Sequence, residues 1–421
     1  MVRIDKNNST IRDSHFPLPK GWRWVRLREV LEYSQYGISK KLNSEGKGLP
    51  IVRMGNIEEG KLNLSEVKFV DLPWSEAKKY LLNIGDILFN RTNSAELVGK
   101  SAVFKQQGEY VFASYLIRLA LKLSEADPDF VNYVINSFIG KSYISNVSRR
   151  AIGQVNINAK EISEMPIPLP PLPEQKRIAA KIQELMQEVE RARAACEKQL
   201  EAAKALPAAY LRQVFESEEA KKWERKRLGE VCEINPGRPK NFTRSPETPT
   251  TFVPMTAVDE RTGTIAKPEI VPYSKVSKGY TYFEEGDVLF AKITPCMQNG
   301  KHVIAKNLID GIGFGTTEFH VLRPSGDVLP EWVHFFIRQP HFLKEATLYF
   351  TGAVGQQRVP EEFLSNYIIP IPSLPVQERI IAELKEKMSR ADKLRKSIEK
   401  QLEAINALPQ AILRKAFRGE L

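Results

Sequence analysis

Two kinds of hydrophobic pattern alternate along this chain. From about residue 20 to 160, and again from about 221 to 362, apolar residues come in short β-rich runs broken by Gly, Pro and Asn. The runs Leu49–Met54, Asp86–Phe89, Ala102–Phe104 and Val111–Leu121, and in the second stretch Asp287–Ile293 and Glu318–Leu322, are predicted strands. Phe130–Ile139 and Trp332–Arg338 follow Pro128 and Pro330 and are predicted helices packed on those strands, so each stretch reads as α+β.

The period then changes. Pro166, Pro168, Pro170, Pro171 and Pro173 close the first stretch and Pro370, Pro372 and Pro375 the second, each reading as a stiff, extended linker. Beyond the first, Ile178, Ile182, Leu185, Val189, Ala192, Cys196, Ala203 and Leu206 recur at steps of four and three, with a lapse at Gln199. Beyond the second, Ile380, Leu384, Ala391, Leu394, Ile398, Ile405 and Leu408 do the same, interrupted by Lys387 and Gln401. This is the seam of a coiled coil, roughly 30 residues and about 45 Å long. The charged flanks Glu188, Glu190, Arg191 and Arg193 keep it narrow, which favours pairing of the two helices over packing of each on its own globular part. Two similar seams in one chain meet at high effective concentration.

The alternation is a duplication. Trp22, Leu27, Glu29 and Val30 return as Trp223, Leu228, Glu230 and Val231, each displaced by 201 positions (223 − 22). Gly85, Asp86, Leu88 and Phe89 return as Gly286, Asp287, Leu289 and Phe290, and Gly99-Lys100 as Gly300-Lys301. Ala151, Gly153 and Gln154 match Ala353, Gly355 and Gln356 after a one-residue slip, and Glu197–Ala202 is nearly restated by Glu399–Ala404. The copies disagree where loops are expected: Ser39-Lys40-Lys41 against Lys240-Asn241-Phe242, and Arg91–Ser94 against Lys292–Pro295. One scaffold reading two different targets would look like this. The expected boundaries are 1–160 and 217–365 for the globular domains, and 161–216 and 366–421 for linker plus long helix.

Composition narrows the function classes. With 42% hydrophobic and 27% charged residues the chain is globular, and a net charge of +11 favours an anionic partner. Met1–Thr10 lacks the apolar core of a signal peptide and no run is long enough to span a membrane, so a cytoplasmic location is expected. Cys196, Cys232 and Cys296, and the five histidines, show no metal-ligand spacing; the cysteines read as buried free thiols. Ser94–Ser101 has serine where a phosphate loop needs its first glycine, and the repeat replaces the final hydroxyl with His302, so this segment reads as a turn between strands. Asn235-Pro236-Gly237-Arg238 lacks the second proline and the aromatic of an amino-methyltransferase loop. No catalytic site, metal or cofactor is expected on this chain.

Two variable globular domains, each followed by a proline-led helix, resemble the specificity subunits of type I restriction-modification systems over essentially the whole chain. The residues that carry the resemblance are Gly85–Phe89 and Gly286–Phe290, the Pro-Leu-Pro-Glu-Gln run at 171 to 175 with Leu374–Glu378, and the closing Leu413–Leu421. The resemblance implies two target recognition domains separated by two long helices in an antiparallel intramolecular coiled coil, with pseudo-two-fold duplication. Each domain would read one half of a split, asymmetric DNA sequence. It also implies docking of two modification subunits, which bind S-adenosylmethionine and methylate adenine, and of translocating endonuclease subunits; S-adenosylmethionine, ATP and Mg would sit on those partners. A two-domain coiled-coil scaffold that binds proteins instead, and a standalone enzyme, are the rival readings.

Base readout needs donors and acceptors, and phosphate contact needs Lys and Arg. In the variable loops the candidates are Ser39, Lys40, Lys41, Arg53, Asn56, Arg91, Asn93, Gln154 and Asn156 in the first domain. In the second they are Arg238, Lys240, Lys292, Thr294, Gln298, Gln356, Gln357 and Arg358. Gly85-Asp86 and Gly286-Asp287 are expected to make strand-entry turns, with Phe89 and Phe290 in the core.

Overall fold

The computed structural model describes residues 17–94, 98–147, 149–151, 154–353 and 355–421. Two compact units emerge, Met1–Glu197 with Lys400–Leu421, and Lys198–Glu399. Among the described residues no helix is long and apolar enough to cross a membrane.

The first unit contains β1 (Arg23–Arg26), β2 (Leu31–Tyr36), β3 (Ile87–Asn90), β4 (Thr92–Asn93), β5 (Ser101–Val103), β6 (Leu116–Leu121), β7 (Gln154–Asn156) and β8 (Pro166–Leu169). Its helices include α1 (Pro128–Asn136) and the first part of α2 (Leu172–Phe215). The main sheet is antiparallel in the order β2-β6-β3-β5. Every residue of β3 and β6 is buried, because alternate side chains enter two apolar layers. Ile87, Phe89, Ile117 and Leu119 face α1 and the long helices, whereas Leu88 and Leu116 join Val52, Phe104 and Phe112 on the other side. A strand buried on both faces reads as a continuous apolar run.

The second unit repeats this plan with β9 (Glu224–Arg227), β10 (Cys232–Ile234), β11 (Val288–Ala291), β12 (His302–Ile304), β13 (Phe319–Pro324), β14 (Ile368–Ile371), α3 (Pro330–Ile337) and part of α4 (Leu374–Phe417). Its main sheet runs β10-β13-β11-β12, the same order strand for strand.

Several boundaries differ from expectation. Val111–Leu121 is not one strand: Val111–Phe112 pairs in parallel with Ile51–Val52, a turn at Ala113–Tyr115 follows, and Leu116–Leu121 enters the main sheet. Helix α1 begins at Pro128, where Asp127 caps it by accepting from the Phe130 N–H, and ends before Ser137. The proline-rich segments are strands of the globular units and not linkers. Pro168 faces Trp24 in the β1–β8 pair, and Pro370 faces Arg225 in the β9–β14 pair. A two-stranded ladder tolerates prolines because their missing N–H groups can point away from the partner. The expected domain ends at 160 and 365 therefore fall inside the units.

Each long helix has 44 residues, more than the expected 30 or so, and takes Pro173 or Pro375 into its first turn. Gln175 explains the start that the two copies share. Fully buried, it accepts from the Asp127 N–H and donates to the Glu125 and Pro170 carbonyls. Gln377 does the same with Leu329, Asp327 and Pro372. Each glutamine bolts a long helix to the loop ahead of α1 or α3.

Within each unit the start of one long helix packs beside the end of the other, in antiparallel sense. Ile178, Ala179 and Ile182 share a core with Leu413, Ala416 and Phe417, and Arg177 donates to the Leu421 carbonyl at 2.7 Å. In the second unit Ile380, Ile381 and Leu384 share a core with Leu211 and Phe215. Phe417 meets Phe130 edge-on at 5.6 Å, and Phe215 lies 4.9 Å from Trp332. The last aromatic of each repeat is thus buried in the globular part of the other.

The seam slips. Ile178, Ile182, Val189, Ile380, Leu384 and Ile398 are buried and Leu185, Leu206 and Ile405 half-buried, but Leu394 and Leu408 are exposed, at 48% and 42%. Ala192 is exposed too, while Leu200, Arg395, Leu402 and Pro409 turn inward. A strict heptad drifts about 20° per repeat from a straight α-helix, and an inserted step of four restores the register. That step falls ahead of both lapses, between Val189 and Arg193 and between Ala391 and Arg395, so that Leu200 and Leu402 turn inward in place of Gln199 and Gln401.

The copies also share a buried clamp built from different residues. In the first, Ser101, Asn132 and Asn136 hydrogen-bond one another, and Asn132 donates to the Gly60 carbonyl of the Ile57–Leu62 hairpin. In the second, His302 stacks flat on Phe290 at 4.3 Å, and His334 hydrogen-bonds the His302 carbonyl. There Arg338 donates to the Glu260 and Arg261 carbonyls of the matching hairpin.

Candidate nucleic-acid interface

The turn that feeds β3 is fixed by two residues. Gly85 has φ +99°, a backbone conformation open to glycine, and the Asp86 carboxylate accepts from the Asn83 N–H at 2.7 Å. Gly286, at φ +90°, and Asp287, accepting from the Glu284 N–H, repeat the arrangement. Asp86 pairs with buried Arg118 at 2.8 Å, yet burial pushes its carboxyl up, partly offset by the Asn83 N–H and Arg118. Asp287 takes a bidentate contact from Arg323 instead. The arginines are not counterparts, since Arg118 faces Leu88, whereas Arg323 lies one residue beyond the Leu322–Val288 pair.

Beyond β3 the chain leaves the sheet and meets a second segment. Asn156 faces Thr92 and Val155 faces Asn93 in the β4–β7 pair. The Arg91 N–H donates to Tyr115 at 3.0 Å and the Arg91 carbonyl accepts from Ile157 at 2.9 Å. The Arg91 guanidinium lies 5.1 Å from the Tyr36 ring centre, and the Tyr36 hydroxyl accepts from the Ala159 N–H. The side chains of Asn93 and Gln154, and the whole of Gly153, lie outside the described residues.

The second unit joins the same two segments with other chemistry. Lys292 donates its N–H to Glu318 and accepts from Val359, and Thr294 donates its N–H to Gln357. Arg358 forms a fork with Glu318, both contacts 2.8 Å, which holds the Glu318 carboxyl below its usual range. His320 is buried behind them, its Nε2–H donating to the Val359 carbonyl and its Nδ1 accepting from the Asn235 side-chain amide. Burial lowers its pKa.

Three candidates are already spent. Asn56 accepts from the Arg53 N–H and donates to the Asn63 and Glu66 carbonyls, so both its amide protons hold a turn and the side chain is buried away from a base. Arg238 donates to the Tyr273 hydroxyl and Ser277 carbonyl and lies against Phe314. Arg358 is neutralised by Glu318. Thr294 and Gln298 hydrogen-bond each other at 2.7 Å. Ser39, Lys40, Lys41, Lys240 and Gln356 are exposed, Lys40 lying 3.5 Å from Glu76; Arg53, Asn156, Lys292 and Gln357 are half-buried. Tyr36, Glu318 and the two buried glutamines were absent from the sequence candidates. Tyr36 had one signal, an aromatic at a strand position that leaves it 42% exposed.

Val98–Gly99 forms a turn, with the Gly99 N–H on the Asn90 carbonyl; residues 95–97 of the rejected phosphate loop lie outside the described residues. Cys196 and Cys232 are buried and Cys296 half-buried, and burial pushes the Cys232 thiol up to about 12. Among the described residues no group of His, Cys, Asp and Glu gathers as a metal site requires.

The pattern defining the type I restriction modification DNA specificity domain matches residues 19–201 and again 220–404. The chain belongs to this specificity-domain family. The EcoEI specificity subunit of Escherichia coli is 38% identical over 192 residues, 45% of this chain and 32% of that protein. The aligned part thus spans about a third of that relative's length. The EcoKI specificity subunit of Escherichia coli K12 is 23% identical across 96% of this chain and 90% of its own. Among solved structures, one concerned with complex assembly and conformational transition of the type I restriction-modification system has a TM-score of 0.73. It is 24% identical and covers 97% of this chain and 100% of that one, which establishes a shared fold. Both copies of the specificity domain contain the joined segments described above, 87–93 with 154–157 and 288–294 with 357–359.

Proposed function

We propose that this chain is the DNA-sequence-recognition subunit of a type I restriction-modification complex, each unit reading one half of a bipartite, asymmetric target. One observation carries the reading: equivalent strands in the two units bring the same two segments together but present different side chains. Arg91 stacked on Tyr36 stands where the second unit has Lys292 beside the Glu318–Arg358 pair. Holding position while changing hydrogen-bond chemistry is what two different half-sites demand. The net charge of +11 supports the phosphate contacts that set register and salt-dependent affinity.

In this reading the chain is non-catalytic and acts in the cytoplasm. Two modification subunits bring S-adenosylmethionine and take the target adenine out of the stack, and translocating endonuclease subunits bring ATP and Mg. The test is selection of duplexes from a random pool by the chain assembled with its modification subunit, before and after exchanging residues 1–170, a cut that keeps the Arg23–Arg26 and Pro166–Leu169 strands together, for those of another family member. One half of the selected sequence should change. Change in both halves, or no duplex binding at low salt, defeats the proposal.

A further inference from the structure

Resting on that reading, we propose that Arg91 gives DNA a two-point hydrogen bond and that Tyr36 is the residue that positions it. A guanidinium reads an acceptor pair only if its plane is fixed and its edge is open. Both conditions hold at Arg91. Stacking at 5.1 Å over Tyr36 fixes the plane, and the Tyr36 hydroxyl, held by the Ala159 N–H, fixes the ring. The Arg91 backbone is tied on either side to Tyr115 and Ile157. Ring and guanidinium therefore stand on one frame, which lowers the entropy cost of contact.

The edge is also unsatisfied. Among the described residues no hydrogen bond or carboxylate engages the two terminal nitrogens of Arg91, while its Nε is buried without a hydrogen-bond partner, as are those of Arg53, Arg118 and Arg193. By contrast Arg118 donates to the Leu81 carbonyl and pairs with Asp86, Arg238 donates to Tyr273 and Ser277, and Arg358 forks onto Glu318. The equivalent positions of the second unit do not repeat this pair: Lys292 replaces the arginine, and position 237, displaced by 201 from Tyr36, is glycine. The contact belongs to one half-site alone. The acceptor pair can be a guanine edge or a phosphate, and the experiment separates them.

The full chain, assembled with its modification subunit, is compared with R91A, R91K, Y36F, Y36L and the double variant Y36L/R91A on the duplex selected by the wild type. Affinity is measured at several salt concentrations, and bases preferred by each variant are selected anew. We expect R91A to weaken binding on the order of ten- to hundredfold, R91K to recover little of it, and Y36F to bind nearly as wild type. Y36L should reproduce most of the R91A loss, with the double variant no worse than R91A. Preference lost at one G·C pair in a single half-site identifies a base edge. Uniform weakening across sequences, with a salt slope smaller by about 0.9, identifies a phosphate. Wild-type affinity in both R91A and R91K, additive losses for Y36L and R91A, or a Y36F loss equal to that of Y36L overturns the proposal. A wild-type complex that binds no duplex counts against the DNA-recognition reading instead.

Discussion

Acid should loosen the second globular unit before the first. His334 is fully enclosed, and burial, with the Arg338 charge beside it, pushes its pKa from 6.5 down to about 3. His302 is lowered in the same direction, also chiefly by burial. A base whose folded pKa is depressed stabilises the fold fully above its unfolded pKa and loses that contribution as pH falls toward the folded value. The window therefore opens below pH 6.5. Between pH 7 and pH 5 the unfolded His334 becomes almost wholly protonated while the folded one stays neutral, which removes about 2 kcal/mol. His302 adds in the same sense. The corresponding positions in the first unit, Ser101 and Asn132, do not titrate. There Asp86, raised by burial, acts oppositely. Glu331, lowered to about 2 by its lysine partners against burial, matters only below its unfolded value of 4.5, so stopping at pH 5 excludes it. Urea unfolding at fixed pH, read by pulsed amide exchange in peptides from residues 288–337 and 87–136, follows each unit separately. The second unit should lose about 2 kcal/mol or more relative to the first, and H334N should flatten that difference. Equal shifts in both units would refute the buried-histidine argument.

Three further outcomes follow from the packing. Gln175→Leu leaves the Asp127 N–H and two carbonyls without partners and should cost the first unit about 2–4 kcal/mol, with Gln377→Leu doing the same to the second; a loss below 0.5 kcal/mol in calorimetry would contradict the bolting role. Phe417→Ala should destabilise the first globular unit by about 3–5 kcal/mol although it ends the second repeat, which amide exchange around Phe130 would show, and unchanged protection there would refute the exchange of ends. On the long helix, Leu394→Glu should change stability by less than about 0.5 kcal/mol, while Ile398→Glu costs about 3 kcal/mol or more; a Leu394→Glu cost as large as that of Ile398→Glu in urea denaturation would restore the unbroken heptad.

The sequence made the duplication legible because a fixed displacement needs no knowledge of contacts, and it placed the turns at Gly85-Asp86 and Gly286-Asp287 because glycine and aspartate have few other uses there. Three-dimensional neighbours were not legible. The strand role of Pro166–Leu169 depends on Arg23–Arg26, far back in the chain, and appears locally only as a proline-rich segment. The break inside Val111–Leu121 depends on two sheets claiming one apolar run. The seam was counted in heptads, and Gln199 and Gln401 looked like defects when the step had already changed ahead of them.

Disagreement between the copies is therefore a weaker guide to DNA contact than its surface location first suggests. Ser101, Asn132 and Asn136 differ from His302, His334 and Arg338 at every position, yet both sets are clamps on an equivalent hairpin. Arg358 and Asn156 differ, and one of them is tied up by Glu318, 40 residues away in sequence. A reading residue must differ between copies, reach solvent and keep a donor or acceptor free. Residue type supplies the first condition, while the other two depend on partners that only the fold brings near. Applied together they remove Asn56, Arg238 and Arg358. They leave Arg91, held over its tyrosine, among the first-unit donors that the fold positions without spending.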